Sequence, residues 1–302
     1  FLIQRLTRRW NVPLFLAAPL GWTACEYIRS VGPLGFPWFF LGHSQATYLP
    51  VIQIADLAGV YGVSFILAMT NGAIVEMIDG LKSRRLSRIV PRAAVVAVVW
   101  AAALGYGIWR LGQNTTRPGP VLAVVQEDFP MYVNRDVADS DVMLKGFLDV
   151  SLEAAAQHPD LIIWPETCIG VPINPEFLNA TELTDKHSTR GEQRYGRDVA
   201  DLLGEHARLA GSDLIVGSIS RRFNPPGHNP PVDKYNSAII FDRRGKYVDR
   251  YDKIRLVLFG EVVPFRYTWP RLYRFLNENM TPYGKGGFEY SLTAGREDVP
   301  KR

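Results

Sequence analysis

The 302 residues are 47% hydrophobic and 21% charged, with a formal net charge of +4 and a mean hydropathy of −0.03. That apolar and aromatic content excludes a disordered chain, and a count of two cysteines, Cys25 and Cys168, excludes a disulfide-built scaffold. The charge is segregated: up to Pro118 there are 11 Lys/Arg against 4 Asp/Glu, and afterwards 23 against 26, so the basic excess sits in an apolar block and favours a membrane surface over nucleic acid as its partner.

Residues 10–25, 57–75 and 93–109 carry no charge. At a rise of about 1.5 Å per residue they cover roughly 24–29 Å, near the hydrocarbon thickness of a bilayer, about 30 Å. Three spanning helices are predicted, in a membrane domain over 1–111. Buried helices of a soluble core are the alternative, against which the basic residues speak. Arg5, Arg8 and Arg9 precede the first stretch, no Lys or Arg falls between Arg29 and Lys82, and Lys82, Arg84, Arg85, Arg88 and Arg92 crowd the next connection. The positive-inside rule then makes the amino terminus and the 82–92 loop cytoplasmic and puts everything after Arg110 outside. The outer connection contains Gly35-Phe36-Pro37-Trp38-Phe39-Phe40-Leu41-Gly42, aromatic yet broken by Gly and Pro, and is expected at the interface as a belt anchor or as a substrate contact. A start at Phe1 instead of Met, and an end at Lys301-Arg302 without a closing element, are expected of a fragment.

After a polar linker at 112–120 the pattern becomes alternating strands and amphipathic helices, in a second domain over 119–302. Residues 121–126 predict a buried strand, 136–158 a helix with Val142, Leu144, Phe147, Leu148, Val150, Leu152 and Ala155 on its apolar positions, 161–164 a second buried strand, 198–210 a helix and 214–218 a third strand. Residues 237–241, the turn Asp242-Arg243-Arg244-Gly245 and residues 246–250 predict a hairpin. The fold class is α/β, with working residues expected at strand ends.

Glu166 follows the second strand directly, in Trp164-Pro165-Glu166-Thr167. A carboxylate there, beside an indole, is expected to be partly desolvated, with its pKa raised toward that of a usable base; a helix cap or a solvated loop charge is the alternative. Lys253 follows the hairpin in Tyr251-Asp252-Lys253-Ile254-Arg255-Leu256-Val257, and Glu261 sits in Phe259-Gly260-Glu261-Val262-Val263-Pro264-Phe265, an apolar setting in which an acid needs a partner. No cofactor or metal is expected: His43, His158, His187, His206 and His228 never fall at metal-ligand spacing, and Gly284-Lys285-Gly286-Gly287 lacks the spacing of a phosphate loop and is expected to be a flexible turn. Arg221-Arg222 and Arg243-Arg244 are expected in solvated turns, where anionic headgroups are a second possibility.

Taken together, Trp-Pro-Glu-Thr after a strand, Tyr235-Asn236 opening another, and Tyr-x-Lys-x-x-Leu-Val-x-Phe-Gly-Glu-x-x-Pro over 251–264 resemble the carbon-nitrogen hydrolase (nitrilase) superfamily. Glu26-Tyr27-Ile28-Arg29-Ser30, Gly35-Phe36-Pro37-Trp38, Gly42-His43-Ser44-Gln45 and Gly59-Val60-Tyr61-Gly62-Val63-Ser64-Phe65 resemble the helices and outer loop of the bacterial apolipoprotein N-acyltransferase family. Leu258 stands where that family has proline. The resemblance implies spanning helices followed by a nitrilase-like αββα sandwich, here incomplete, with Glu166 as general base, Lys253 near the oxyanion and Glu261 positioning Lys253 or the attacking group. It also implies a nucleophilic cysteine downstream of Phe-Gly-Glu, which is expected beyond Arg302. Cys168 as a substitute nucleophile, and a catalytically dead relative, are the other possibilities. The implied activity moves an acyl chain from a phospholipid, via a cysteine thioester, to the amine of a diacylglyceryl-modified apolipoprotein at the bacterial inner membrane, with the catalytic domain outside. The partners implied are these lipid substrates and the membrane, not nucleic acid. A membrane-tethered amidase using water, and a non-catalytic lipid-binding relative, are the alternatives.

Overall fold

The computed structural model describes residues 1–31, 35–84, 86–128, 137–183, 188–228, 230–266, 268–281 and 291–296. Gly284 to Gly287, His187 and Asp136 lie outside them. The chain forms two compact units, Phe1–Arg117 and Pro118–Arg302.

In the first unit α1 (Leu2–Arg9) is followed by a break in which Asn11 takes a φ of +52°. Helix α2 (Leu14–Ser30) begins immediately after Pro13, which needs no hydrogen-bond partner for a missing N–H. The first charge-free stretch is therefore displaced from its expected place at 10–25: the helix starts four residues later and runs on through Glu26 and Arg29. A short 3₁₀ turn (Leu41–Gln45) and α3 (Leu49–Ile52) lead to α4 (Ala55–Lys82), interrupted at Gly59 (φ +61°), and then to α5 (Leu86–Leu111). Among the described residues, Ala55–Lys82 and Ile89–Leu111 are long and apolar enough to cross a membrane. Their outward faces remain apolar, with Leu57, Ile74, Val75, Val95, Val98 and Ile108 exposed, which the core helices of a soluble protein would not leave in water. One acid ties the three long helices together. Glu76 of α4 accepts a hydrogen bond from the first amide of α2, Leu14 N, at 2.5 Å and pairs with Arg92 of α5 at 2.9 Å.

The second unit is one five-stranded sheet in sequence order, β1 (Leu122–Val124), β2 (Leu161–Ile163), β3 (Asp213–Phe223), β4 (Val232–Phe241) and β5 (Tyr247–Asp252). The first three strands are parallel, and β3–β4–β5 form an antiparallel meander. Helices α6 (Val137–Ala155) and α8 (Arg190–Ala210) cover one face; a four-residue α7 (Pro175–Leu178) lies between β2 and α8, and α9 (Pro270–Met280) follows β5. Strand alternation puts Ile162, Leu214, Val216, Ile239 and Phe241 on the covered face, packed with Phe147 of α6 and Leu203 of α8. A sheet with helices on one face is one αβ half of the expected sandwich.

Several bounds differ from those expected. The strand at 121–126 is a three-residue strand with Leu122 and Val124 exposed, not buried, because among the described residues β1 pairs only with β2 and those two side chains point away from the helices. Helix α8 begins at Arg190 instead of 198: the Thr189 hydroxyl caps it by accepting from Glu192 N at 3.0 Å. Strands β3 and β4 run to Phe223 and back from Val232, since ten consecutive pairs extend the hairpin well beyond the apolar cores of 214–218 and 237–241.

Candidate active site

Strand β2 ends at Ile163, and the next three residues turn sharply over β3. Trp164 N donates to Ile215 O (2.9 Å) and Ile169 N to Gly217 O (3.0 Å), with Thr167 at a φ of +53° between them. Gly217 makes this possible: a Cβ there would lie 2.2 Å from Pro165 O and 2.7 Å from Glu166 Cα. The Trp164 indole points into the helical layer, donating to Ser151 Oγ at 3.1 Å and stacking on Phe147. The turn after Ile163, with Thr167 at a positive φ, carries Glu166 away from that layer, and its side chain is 61% exposed.

Three other elements converge on that carboxylate. Lys253, just past β5, is held by a hydrogen bond from its own N–H to Asn236 O (2.8 Å). Its Nζ lies 3.0 Å from Glu166 Oε1 and 3.0 Å from Glu261 Oε1. The Glu261 side chain is only 12% exposed, and its Oε2 accepts from Val257 N at 2.8 Å, so the 257–262 turn folds around its own acid. Leu258 in place of proline does not open this turn: Phe259 N reaches Val262 O at 2.8 Å and Glu261 N reaches Val257 O at 2.7 Å. Asn236, from β4, completes the cluster. Its Nδ2 donates to Glu261 Oε1 at 2.9 Å and to Glu166 Oε1. The two carboxylates therefore share the same pair of donors, one cationic and one neutral, through one oxygen each. Glu166 Oε2 has no partner among the described residues.

The structure brings Glu166, Lys253 and Glu261 into one cluster and adds Asn236, which the sequence displays only as part of Tyr235-Asn236. The expected upward shift of Glu166 does not occur. The hydrogen bond from the Lys253 ammonium outweighs desolvation and, with the Asn236 amide, holds the carboxyl below its ordinary 4.5. Partial burial acts against the charge on Lys253, but the bonds to Glu166 and Glu261 hold its pKa above the usual lysine value. Such a cluster carries a fixed ammonium beside an ionised, accessible carboxylate, the equipment for moving a proton while stabilising a developing oxyanion.

Cys168 is buried, and its Sγ donates to Gly217 O at 3.3 Å; burial pushes its thiol up to about 11, which opposes formation of a thiolate. The arginine pairs also depart from expectation. Arg221 lies on β3, paired with Glu192 at 2.9 Å and set over the Phe177 ring, and Arg222 pairs with Asp233 at 2.9 Å. Arg243 does lie in a turn, beside Asp213 at 3.3 Å. Among the described residues no group of His, Cys, Asp and Glu is arranged to hold a metal ion.

Comparison with known proteins gives two family matches: Carbon-nitrogen hydrolase over residues 122–295 and Apolipoprotein N-acyltransferase N-terminal domain over residues 1–73. Among curated relatives, the Apolipoprotein N-acyltransferase of Geobacter metallireducens is 29% identical over 94% of this chain and 49% of its own length, and that of Bradyrhizobium diazoefficiens 27% identical over 88% and 47%. The chain spans about half the length of these relatives. Among solved structures, a carbon-nitrogen hydrolase from Helicobacter pylori G27 aligns with 59% of this chain and 45% of its own, at a TM-score of 0.32 and 14% identity. The amino-terminal match and the two apolar helices mark a membrane protein. On the match over 122–295, which holds all four residues of the cluster, the chain belongs to the carbon-nitrogen hydrolase family, joined to an amino-terminal block of the apolipoprotein N-acyltransferase type.

Proposed function

We propose that the whole protein is a membrane acyltransferase that moves an acyl chain from a phospholipid, via a cysteine thioester, to the terminal amine of diacylglyceryl-modified apolipoproteins. The observation that carries this reading is Lys253 Nζ at 3.0 Å from both Glu166 and Glu261, in a chain whose first 73 residues match Apolipoprotein N-acyltransferase N-terminal domain. The nucleophile is assigned to a cysteine beyond Arg302, since Cys25 lies in α2 of the other unit and Cys168 is buried. The basic residues at 82–92, around the junction of α4 and α5, support a cytoplasmic position for that junction and an outer position for the catalytic unit.

Glu166 Oε2, whose partner oxygen is already occupied, takes the thiol proton as sulfur attacks the phospholipid ester carbonyl. Lys253 stabilises the oxyanion that forms, a contribution of about 3–4 kcal/mol for a donor so placed. Collapse expels the lysophospholipid alkoxide, which receives the proton from Glu166, and leaves the thioester. A neutral amine then attacks the thioester, Glu166 accepts its proton, and the sulfur leaves and is reprotonated. Glu261, bonded to Lys253 and to Val257 N, orients the ammonium throughout. The exposed aromatic side chains of Phe36, Trp38 and Phe39 are suited to receive acyl chains at the membrane interface.

The test uses the full-length protein in mixed micelles with phosphatidylethanolamine and a diacylglyceryl lipopeptide. Glu166→Gln and Lys253→Ala should each abolish transfer. A carboxylate held below 4.5 stays ionised, so acyl-enzyme formation should persist to about pH 5. Transfer should fall about tenfold per unit below the α-amino pKa of about 7.7–8.0. Transfer that stays level down to pH 5, or release of free acid from simple amides faster than transfer, would overturn the acyltransferase reading; full activity of both variants would indicate a non-catalytic cluster.

A further inference from the structure

We propose that residues 291–295 form a positioning strap that sets the spacing between Lys253 and the two carboxylates, with Gly295 as its critical residue. The inference rests on Glu166 and Lys253 being the working pair. Lys253, which donates to Glu166, and Glu261, which shares that donor, are joined by a segment whose turn has backbone hydrogen bonds internal to 257–262. Among the described residues the turn meets Lys253 only through the Glu261 side chain, and none of its own backbone bonds registers it against β5. The strap does. Leu292 N donates to Glu261 O at 2.7 Å, and Gly295 N donates to Lys253 O at 2.9 Å. One short extended segment therefore holds the backbone carbonyl of both residues.

The strap is itself moored to β4, the strand that supplies Asn236. Thr293 N donates to Lys234 O at 2.7 Å, and Thr293 Oγ1 donates to Asp233 Oδ1 at 3.1 Å, an acid already paired with Arg222 at 2.9 Å. At its near end the Ser291 hydroxyl accepts from Val263 N at 3.4 Å. Gly295 is where the chain comes closest: a Cβ there would lie 2.2 Å from Asp252 O and 2.8 Å from Asp252 C. These are backbone atoms and cannot step aside as the end of a flexible side chain would. The residue that must move is Asp252, or its neighbour Lys253. Among the described residues the charged groups meeting Glu166 are Lys253 and, through the shared donors, Glu261, while Asp252 is occupied by Arg250 at 3.1 Å and Ser237 at 2.6 Å. Displacing Lys253 thus removes the one cation that Glu166 meets.

The experiment compares wild type, Gly295→Ala and Thr293→Val in the full-length protein. The first readout is acyl-enzyme formation from a phosphatidylethanolamine bearing a fluorescent acyl chain; the second, independent of turnover, is the Glu166 carboxyl titration by ¹³C NMR, assigned with Glu166→Gln. A displacement of about 1 Å in such a cluster costs roughly 100-fold in rate. Gly295→Ala should lower kcat by about that factor with KM changed less than twofold, and should move the Glu166 titration and the acid limb of the rate upward together; Thr293→Val should do the same to a smaller extent. A merely structural defect lowers the active fraction and leaves both titrations in place, and that outcome overturns the proposal. Unchanged titration in Thr293→Val overturns it too, should Gly295→Ala fail to fold. If the titration moves but the wild type forms no acyl-enzyme, the strap stands and the acyltransferase reading falls.

Discussion

Asn236 is the residue whose importance is visible only in three dimensions. It is buried, and one amide nitrogen serves both carboxylates. Two acids so close compete for one ammonium; a second, neutral donor between them bonds both. Removing it loses two hydrogen bonds to charged acceptors, each worth about 1.5–3 kcal/mol. Asn236→Ala is expected to slow acyl-enzyme formation by roughly 10- to 100-fold, measured in single-turnover experiments, and Asn236→Asp more severely because it adds a third negative charge. An Ala variant at the wild-type rate would show that Lys253 alone suffices. Glu166 and Glu261 stand out along the chain as acids in apolar settings, and Lys253 by its place after the hairpin and in the Tyr-x-Lys motif. An asparagine in the middle of a strand does not. The direction of the Glu166 shift is also illegible in sequence: adjacency to Trp164 implies an apolar neighbour, whereas the indole turns into the helical layer toward Ser151 and Lys253, 87 positions away in the chain, bonds Glu166 instead.

The sheet works by placing carboxyl ends of strands and hairpin ends together. The turn that carries Glu166 crosses β3 at Gly217 with backbone against backbone. Any side chain at 217 must push that turn away, and overpacking of this kind costs about 1–3 kcal/mol. Gly217→Ala is therefore expected to lower the thermal midpoint of the protein in detergent by several degrees. It should also reduce acyl-enzyme formation more than the stability loss accounts for, because the displaced atoms include Glu166 Cα. A stable variant of normal activity would mean that the turn tolerates a second path. Elements with strong local signals were readable, including the apolar runs of β2, β3 and β4. Their lengths were not, because pairing between β3 and β4 continues past the apolar residues through Arg221, Arg222, Asp233 and Lys234, where backbone hydrogen bonds and ion pairs, not burial, sustain the ladder. The capping signal at Thr189 and Glu192 was present in the sequence and marks the true start of α8.

At the scale of the whole molecule, the two units differ in what their surfaces can face. The first exposes aliphatic side chains along α4 and α5; the second carries its charges in pairs around a polar cluster. The proposed orientation, with the 82–92 segment inside and the second unit outside, is testable with cysteine labelling in a background that lacks Cys25 and the proposed nucleophilic cysteine, Cys168 being buried. An impermeant maleimide added to intact spheroplasts should label Asp242→Cys, in the turn of the hairpin, and spare Ser83→Cys, next to Lys82, until the membrane is opened. Equal labelling of both would reverse or abolish the assigned orientation. The division of the chain into a basic apolar block and an acidic α/β block, its apolar helices of spanning length, and three of the four clustered residues were determined by the sequence itself, because hydropathy, charge and motif order are properties of neighbouring residues. The tertiary structure decided the rest: that Asn236 joins the cluster, that Lys253 holds Glu166 below its ordinary value instead of letting burial raise it, that Cys168 is shut away, and that residues 291–295 reach back to Lys253 and Glu261. Each of these depends on distances through space of a few ångströms between residues far apart in the chain, and Coulomb and hydrogen-bond energies depend on those distances, on bond angles and on the surrounding dielectric.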